Sequence, residues 1–176
     1  MKTIKSIDII QPDDWHTHFR EGDLLNLISK FSARVNNRCL VMPNLNTPIT
    51  TSKLAKKYLK DIKNSLQNSR LSILIPCYLT NNLDLVDFEK SLIDNVFIGA
   101  KLYPSNVTTN SSFGISNIEE IFPALEILQK TNKHLLIHGE KIRENIDIFD
   151  REKYFIDEEL SIIRRKFPDL KIVLEH

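Results

Sequence analysis

Apolar residues recur along the chain in two alternating kinds of run. Short runs rich in branched residues predict strands at 7–18, 38–42, 71–79, 96–103, 134–138 and 170–176. Between them, apolar positions spaced three and four apart predict helices at 22–35, from Thr51 or Ser52 to about Asn68, and at 83–93, 116–130 and 156–167. The first helix carries a stripe of Leu24, Leu25, Leu27, Ile28 and Phe31, and the fourth opens on a capping-box pattern, Ser116-Asn117-Ile118-Glu119. Pro43 stops the second strand, Pro76 interrupts the third and Pro104 ends the fourth. Strands that alternate with helices favour a parallel sheet with helical crossovers, in one domain covering 1–176. A doubly wound sheet and a βα barrel both fit the alternation.

Candidate chemistry separates the two. Trp15-His16-Thr17-His18-Phe19-Arg20 closes the first strand. In an extended strand His16 and His18 face the same way, about 7 Å apart, and both imidazoles can close on one cation. Lys101, His138 and His176 stand at the ends of the fourth, fifth and sixth strands. A lone histidine is ordinarily a satisfied core or surface residue, and His134, about 13 Å from His138 at the other end of its strand, reads that way. Donors at the C-terminal ends of so many separated strands converge readily only in a closed barrel. The long loops 104–115 and 139–155 lie at the same ends.

Lys101 is the odd member. A strand-end lysine is ordinarily a solvated ammonium, which has no lone pair and repels a cation. Burial can instead favour the neutral amine, which takes up carbon dioxide to give an anionic carbamate able to bridge two metals. Arg20, two residues past His18, offers a planar fork for a carboxylate or pairs at the surface with Glu21 or Asp23. Asn44, after Pro43, reads on its own as a turn residue. Asp14 shares the face of His16 in a regular strand and is a candidate support for it.

Composition narrows the setting. The 176 residues carry a net charge of +1 with acids and bases interspersed, which gives no sign of nucleic-acid binding. No apolar stretch approaches the roughly 20 residues that span a bilayer, and the opening Met1-Lys2-Thr3-Ile4-Lys5 lacks the long apolar segment of a signal peptide. Cys39 and Cys77 sit inside apolar runs and read as reduced core thiols. A cytoplasmic protein without membrane or nucleic-acid partners is expected.

The chain resembles the bacterial-type dihydroorotases of the amidohydrolase superfamily. The resemblance rests on Asp14-Trp15-His16-Thr17-His18-Phe19-Arg20, Met42-Pro43-Asn44-Leu45, Lys101-Leu102-Tyr103-Pro104 with Thr108-Thr109-Asn110-Ser111-Ser112, His138-Gly139-Glu140, Phe149-Asp150-Arg151-Glu152 and Leu174-Glu175-His176, in family order. It implies an α/β fold, a TIM (β/α)8 barrel, here incomplete with about six βα units and without strands seven and eight. It implies two zinc ions, one held by His16 and His18, the other by His138 and His176, bridged by Lys101 as N6-carboxylysine. Arg20, Asn44 and His138 then bind substrate. The implied reaction is the reversible cyclisation of N-carbamoyl-L-aspartate to (S)-dihydroorotate, the third step of pyrimidine synthesis, with the zincs activating water. The family's proton-transfer aspartate, at the end of the eighth strand, matches nothing here and is expected beyond His176. The chain then reads as the N-terminal portion of a longer protein, inactive alone, with a homodimer of the full-length protein left open. A hydantoinase-like or allantoinase-like cyclic amidohydrolase and a non-catalytic dihydroorotase-like fragment are the alternatives.

Overall fold

Seven strand segments, all paired in parallel, form the wall of a partial barrel in this computed structural model, which describes residues 6–176. The opening Met1–Lys5 lies outside the described residues. In chain order the elements are β1 (Asp13–Thr17), α1 (Gly22–Val35), β2 (Arg38–Val41), α2 (Ser52–Leu66), β3 (Ser72–Leu74), β4 (Cys77–Tyr78), α3 (Leu85–Ile93), β5 (Gly99–Leu102), α4 (Phe122–Lys130), β6 (His134–Ile137), α5 (Arg151–Phe155), α6 (Ser161–Lys166) and β7 (Lys171–Leu174). Pairing runs β1-β2-β3 and then β4-β5-β6-β7.

The third expected strand is two segments because Pro76 has no N–H to give a ladder. The wall carries on across the break: Ile98 N donates to Ile75 O at 3.2 Å and Leu79 N to Lys101 O at 3.0 Å. Seven segments therefore occupy the six strand positions read from the pattern.

Three other expectations need correction. The run 7–12 is not strand; Ile7, Ile9 and Ile10 are among the most exposed apolar residues, because pairing begins only at Asp13 opposite Arg38. Ser116 does not cap the fourth helix. Asn117 accepts from Glu119 N at 3.0 Å and opens a 3₁₀ turn, Ile118–Ile121, that leads into α4. The last helix starts earlier than its periodicity: a 3₁₀ turn (Ile148–Asp150), α5, a π-helical turn (Ile156–Leu160) and α6 run without a gap. The π turn shifts the phase of the apolar stripe and hides the first half from a 3.6-residue pattern.

Other elements form where the pattern puts them. Thr51 caps α2 by accepting from Leu54 N at 3.3 Å, and Asp84 caps α3 through Val86 N and Asp87 N. Of the α1 stripe, Leu25 is buried and Ile28 half-buried against α2; Leu24, Leu27 and Phe31 are exposed.

Register sorts the strand residues onto two faces. Cys39, Val41, Ala100, Leu102, Leu135 and Ile137 are fully buried in the main core with helix residues such as Ile62, Leu92, Leu125 and Ile163. Leu40, Met42 and Leu136, with Leu74 and Ile98 against them, form a separate apolar floor on the other face. Lys101 lies opposite Leu136 and Tyr78 in the ladder, so it rises on the floor's side of the sheet. Gly99 sits where a Cβ would come within 2.4 Å of the His134 carbonyl oxygen, so close pairing of β5 with β6 requires it. Among the described residues, no helix is long and apolar enough to cross a membrane.

Candidate metal and substrate site

The C-terminal ends of β1, β2, β5, β6 and β7 bring one cluster of polar side chains above the apolar floor. It starts with an irregularity in β1. Asp14 pairs with Cys39 but Thr17 pairs with Val41, so β1 holds one residue more than β2 over that stretch. This bulge reverses the side-chain alternation. Asp14 is left on the outward face with Cys39, and His16 and His18 turn inward. The expected shared face of Asp14 and His16 is thus incorrect; Asp14 instead accepts the His16 N–H at 3.0 Å and holds the bulge.

The imidazoles lie in two pairs. His16 Nε2 and His18 Nε2 are 3.2 Å apart, and His176 Nε2 and His138 Nδ1 are 2.9 Å apart. The rings of His16 and His176 join the pairs edge to face at 5.0 Å. Lys101 is fully buried, and its ammonium pairs with Glu175. The second oxygen of Glu175 stands 3.0 Å from His16 Nδ1. All five expected ligands therefore meet in one cluster. His134, as expected, stands apart at the start of β6, opposite Lys171.

Burial dominates the electrostatics. It pushes the His18 imidazole down to about 4, helped by the charges of Arg20 and His16 and opposed by Asn44. It also lowers His138 and His176, so these rings stay neutral at neutral pH, each with one lone-pair nitrogen. Burial lowers Lys101 despite Glu175, which favours the neutral amine. Burial would raise the Glu175 carboxyl, but His16 and Lys101 outweigh it and hold it below the usual range.

The substrate candidates sit at the edge of the cluster. Arg20 does not continue an extended strand, for β1 ends at Thr17 and Arg20 has φ +59°. Its charge still reaches His18 and Tyr103, so it stands near the cluster without a regular strand to place it. Among the described residues it makes no ion pair with Glu21 or Asp23, and its Nη1 is buried without a hydrogen bond. Asn44 is buried; its side-chain amide donates to Thr109 O at 2.9 Å, and its backbone carbonyl accepts from the Asn110 side chain at 3.2 Å. Tyr78 Oη adds a bond to Asn110 O at 3.3 Å. These bonds clamp the loop 104–115 over the end of β2. Arg151 pins the second long loop through its backbone carbonyl, which accepts from Lys141 N at 3.1 Å.

The donor set suits a metal, with one qualification. Tetrahedral zinc with Zn–N bonds of about 2.0–2.1 Å separates two nitrogens by about 3.4 Å, close to the spacing within each histidine pair. His18 Nδ1, Asn44 Oδ1, Tyr103 Oη and Arg20 Nη1 are buried without hydrogen-bond partners around the same cluster. The nitrogens nevertheless touch one another, and among the described residues no three His, Cys, Asp or Glu side chains surround a common centre as they stand. A cation must part each pair by a few tenths of an ångström.

Glu175 and Glu140 carried no role in the sequence. Glu140 lies 2.7 Å from His138 Nε2. Their signals were charges beside motif histidines, and in the case of Glu175 a charge closing the apolar run Ile172-Val173-Leu174.

No protein-family model matches the chain. A dihydroorotase of Buchnera aphidicola subsp. Acyrthosiphon pisum is 46% identical over 176 residues, covering 99% of this chain and 50% of the relative. The solved dihydroorotase of Saccharomyces cerevisiae, in complex with 5-fluoroorotic acid, superposes with a TM-score of 0.87 at 31% identity, covering 97% of this chain and 48% of that one. The dihydroorotase of Campylobacter jejuni does so with a TM-score of 0.85 at 33% identity, covering 94% and 48%. The chain spans about half the length of the relatives it matches. Along its whole length, in sequence and in its partial TIM-barrel fold, this chain is a relative of the dihydroorotases.

Proposed function

We propose that the chain forms the metal-binding part of a zinc-dependent dihydroorotase, which interconverts N-carbamoyl-L-aspartate and (S)-dihydroorotate in pyrimidine synthesis. The observation that carries this reading is the meeting of His16, His18, Lys101, His138 and His176, from four separate strands, in one half-buried cluster. His16 with His18 and His138 with His176 would each hold one zinc, and Lys101, as N6-carboxylysine, would stand between them. When bound, the zinc pair polarises the scissile ring carbonyl and lowers the pKa of a water molecule.

The chain's own groups supply the rest. Lys101 gains a carbamate when its neutral amine adds to carbon dioxide and loses a proton. Glu175 then gives up its ion pair, since two anions repel at this distance. The Arg20 guanidinium binds the substrate carboxylate, and its unpartnered Nη1 is available for that bond. Asn44 spends one amide hydrogen on Thr109 and offers the other to the same carboxylate. His138 lines the substrate side as well. Proton transfer to and from the ring nitrogen is assigned to an aspartate outside these 176 residues. The same reading makes this a cytoplasmic enzyme with a small-molecule substrate and no nucleic-acid or membrane partner.

Turnover by the complete gene product tests the reading. Dihydroorotate is expected to be hydrolysed in preference to hydantoin, and chelation is expected to stop it. Preference for hydantoin, or dihydroorotate turnover indifferent to chelation, would contradict it. The 176 residues alone are expected to bind zinc without turnover.

A further inference from the structure

Glu140 and Arg151 belong neither to the ligand set nor to the substrate clamp proposed above, yet they stand directly behind His138. Glu140 Oε1 is 2.7 Å from His138 Nε2, and Arg151 Nη1 is 3.6 Å from Glu140 Oε2. Arg151 opens α5 and is fixed to the loop after β6 by the Lys141 N–H. Gly139 lets that loop run close against β7: a Cβ there would lie 2.6 Å from Leu174 Cδ1. A line of contacts therefore runs from Arg151 through Glu140 and His138 to His176.

A carboxylate offers only acceptors, and a neutral imidazole has one N–H and one lone pair. Contact with Glu140 at Nε2 puts the proton there and leaves the lone pair on Nδ1, the nitrogen that faces His176 at 2.9 Å. We propose that Glu140, steadied by Arg151, is a positioning residue that fixes the Nε2–H tautomer of His138 and turns its Nδ1 lone pair toward the cation site. The cation rests on the zinc reading above; the tautomer does not. His16 has the mirrored arrangement, with Glu175 at Nδ1, but Lys101 competes for that carboxylate.

Long-range proton–nitrogen correlation on the metal-free, histidine-labelled protein tests this, alongside zinc titration. The wild type is expected to show His138 as Nε2–H. Glu140→Gln keeps an acceptor oxygen and should retain that tautomer, whereas Glu140→Ala should shift His138 toward Nδ1–H and weaken zinc binding about 10- to 100-fold. A folded Glu140→Ala protein with an unmoved tautomer would overturn the orienting role. If Glu140→Ala does not fold, an Nδ1–H tautomer in the wild type or in Glu140→Gln would overturn it. A wild type that binds no zinc, with a tautomer still set by Glu140, would overturn the zinc reading and uphold the orienting role.

Discussion

Along β5, Ala100 and Leu102 turn toward the helices, and Lys101 and Tyr103 turn toward the barrel interior; along β6, Leu135 and Ile137 turn outward and Leu136 and His138 inward. The outward set is uniformly apolar and fully buried. The inward set changes character with height, from the apolar floor of Leu40, Met42 and Leu136 to the histidines, Lys101 and Glu175 at the strand ends. Outward positions hold the sheet to the helices by burial alone, so their identity can vary among apolar residues of similar volume. Inward positions near the top each need a particular atom at a particular place, and their burial costs stability unless every polar atom finds a partner. His18, Asn44, Tyr103 and Arg20 each keep one buried polar atom without such a partner, as the proposed ligand site requires.

Substitutions on the two faces should therefore fail in different ways. The largest effect is expected from Lys101→Ala on the inner face. The complete enzyme should lose activity to background and retain at most one zinc, and short carboxylic acids should restore part of both by standing in for the carbamate. Unchanged metal content by elemental analysis would break the contrast. On the outer face, Leu135→Ala should cost about 2–5 kcal/mol in urea unfolding, the range for a fully buried leucine, and leave zinc content unchanged.

The outer face was legible in the sequence for the reason that makes it tolerant. Burial on that face repeats with strand and helix period, so 38–42, 96–103 and 134–138 read correctly within a few residues. The run 7–10 has the same character but misleads, because a strand needs a partner and β2 supplies none before Arg38. The inner site was legible only as motif letters. That His16 and His18 face inward depends on the bulge after Asp14, and that Glu175 meets Lys101 depends on the β5-β6-β7 register; neither is encoded in local spacing. The π turn at Ile156–Leu160 hid half of the last helix in the same way, by breaking a period.

Acid sharpens the contrast further. His18, His138 and His176 have folded-state values below the ordinary 6.5, so the unfolded chain binds protons that the folded one does not. Stability of the metal-free protein is thus complete above about pH 6.5 and falls as pH drops toward 4. His18 contributes on the order of 1–2 kcal/mol to that loss, allowing for solvent screening of this partly exposed ring. Denaturation midpoints independent of pH between 7 and 4.5 would refute the burial of neutral imidazoles. The smallest effect is expected at the outward thiols. Burial pushes Cys39 up to about 11 and Cys77 well above its usual range. Both thiols are free and fully buried, so at pH 8 they should react with a thiol reagent only as the protein unfolds. Prompt labelling of the native protein would show that the outer layer is not closed.

Zinc stoichiometry with X-ray absorption at the metal edge decides whether the histidine pairs and Lys101 form a two-metal site. Two zinc ions per chain are expected, in a shell of imidazole nitrogens and carbamate oxygen, with the count reduced by replacing any one of His16, His18, His138 or His176. A chain that stays free of zinc when purified with the metal, or a zinc shell unaffected by those replacements, would contradict it.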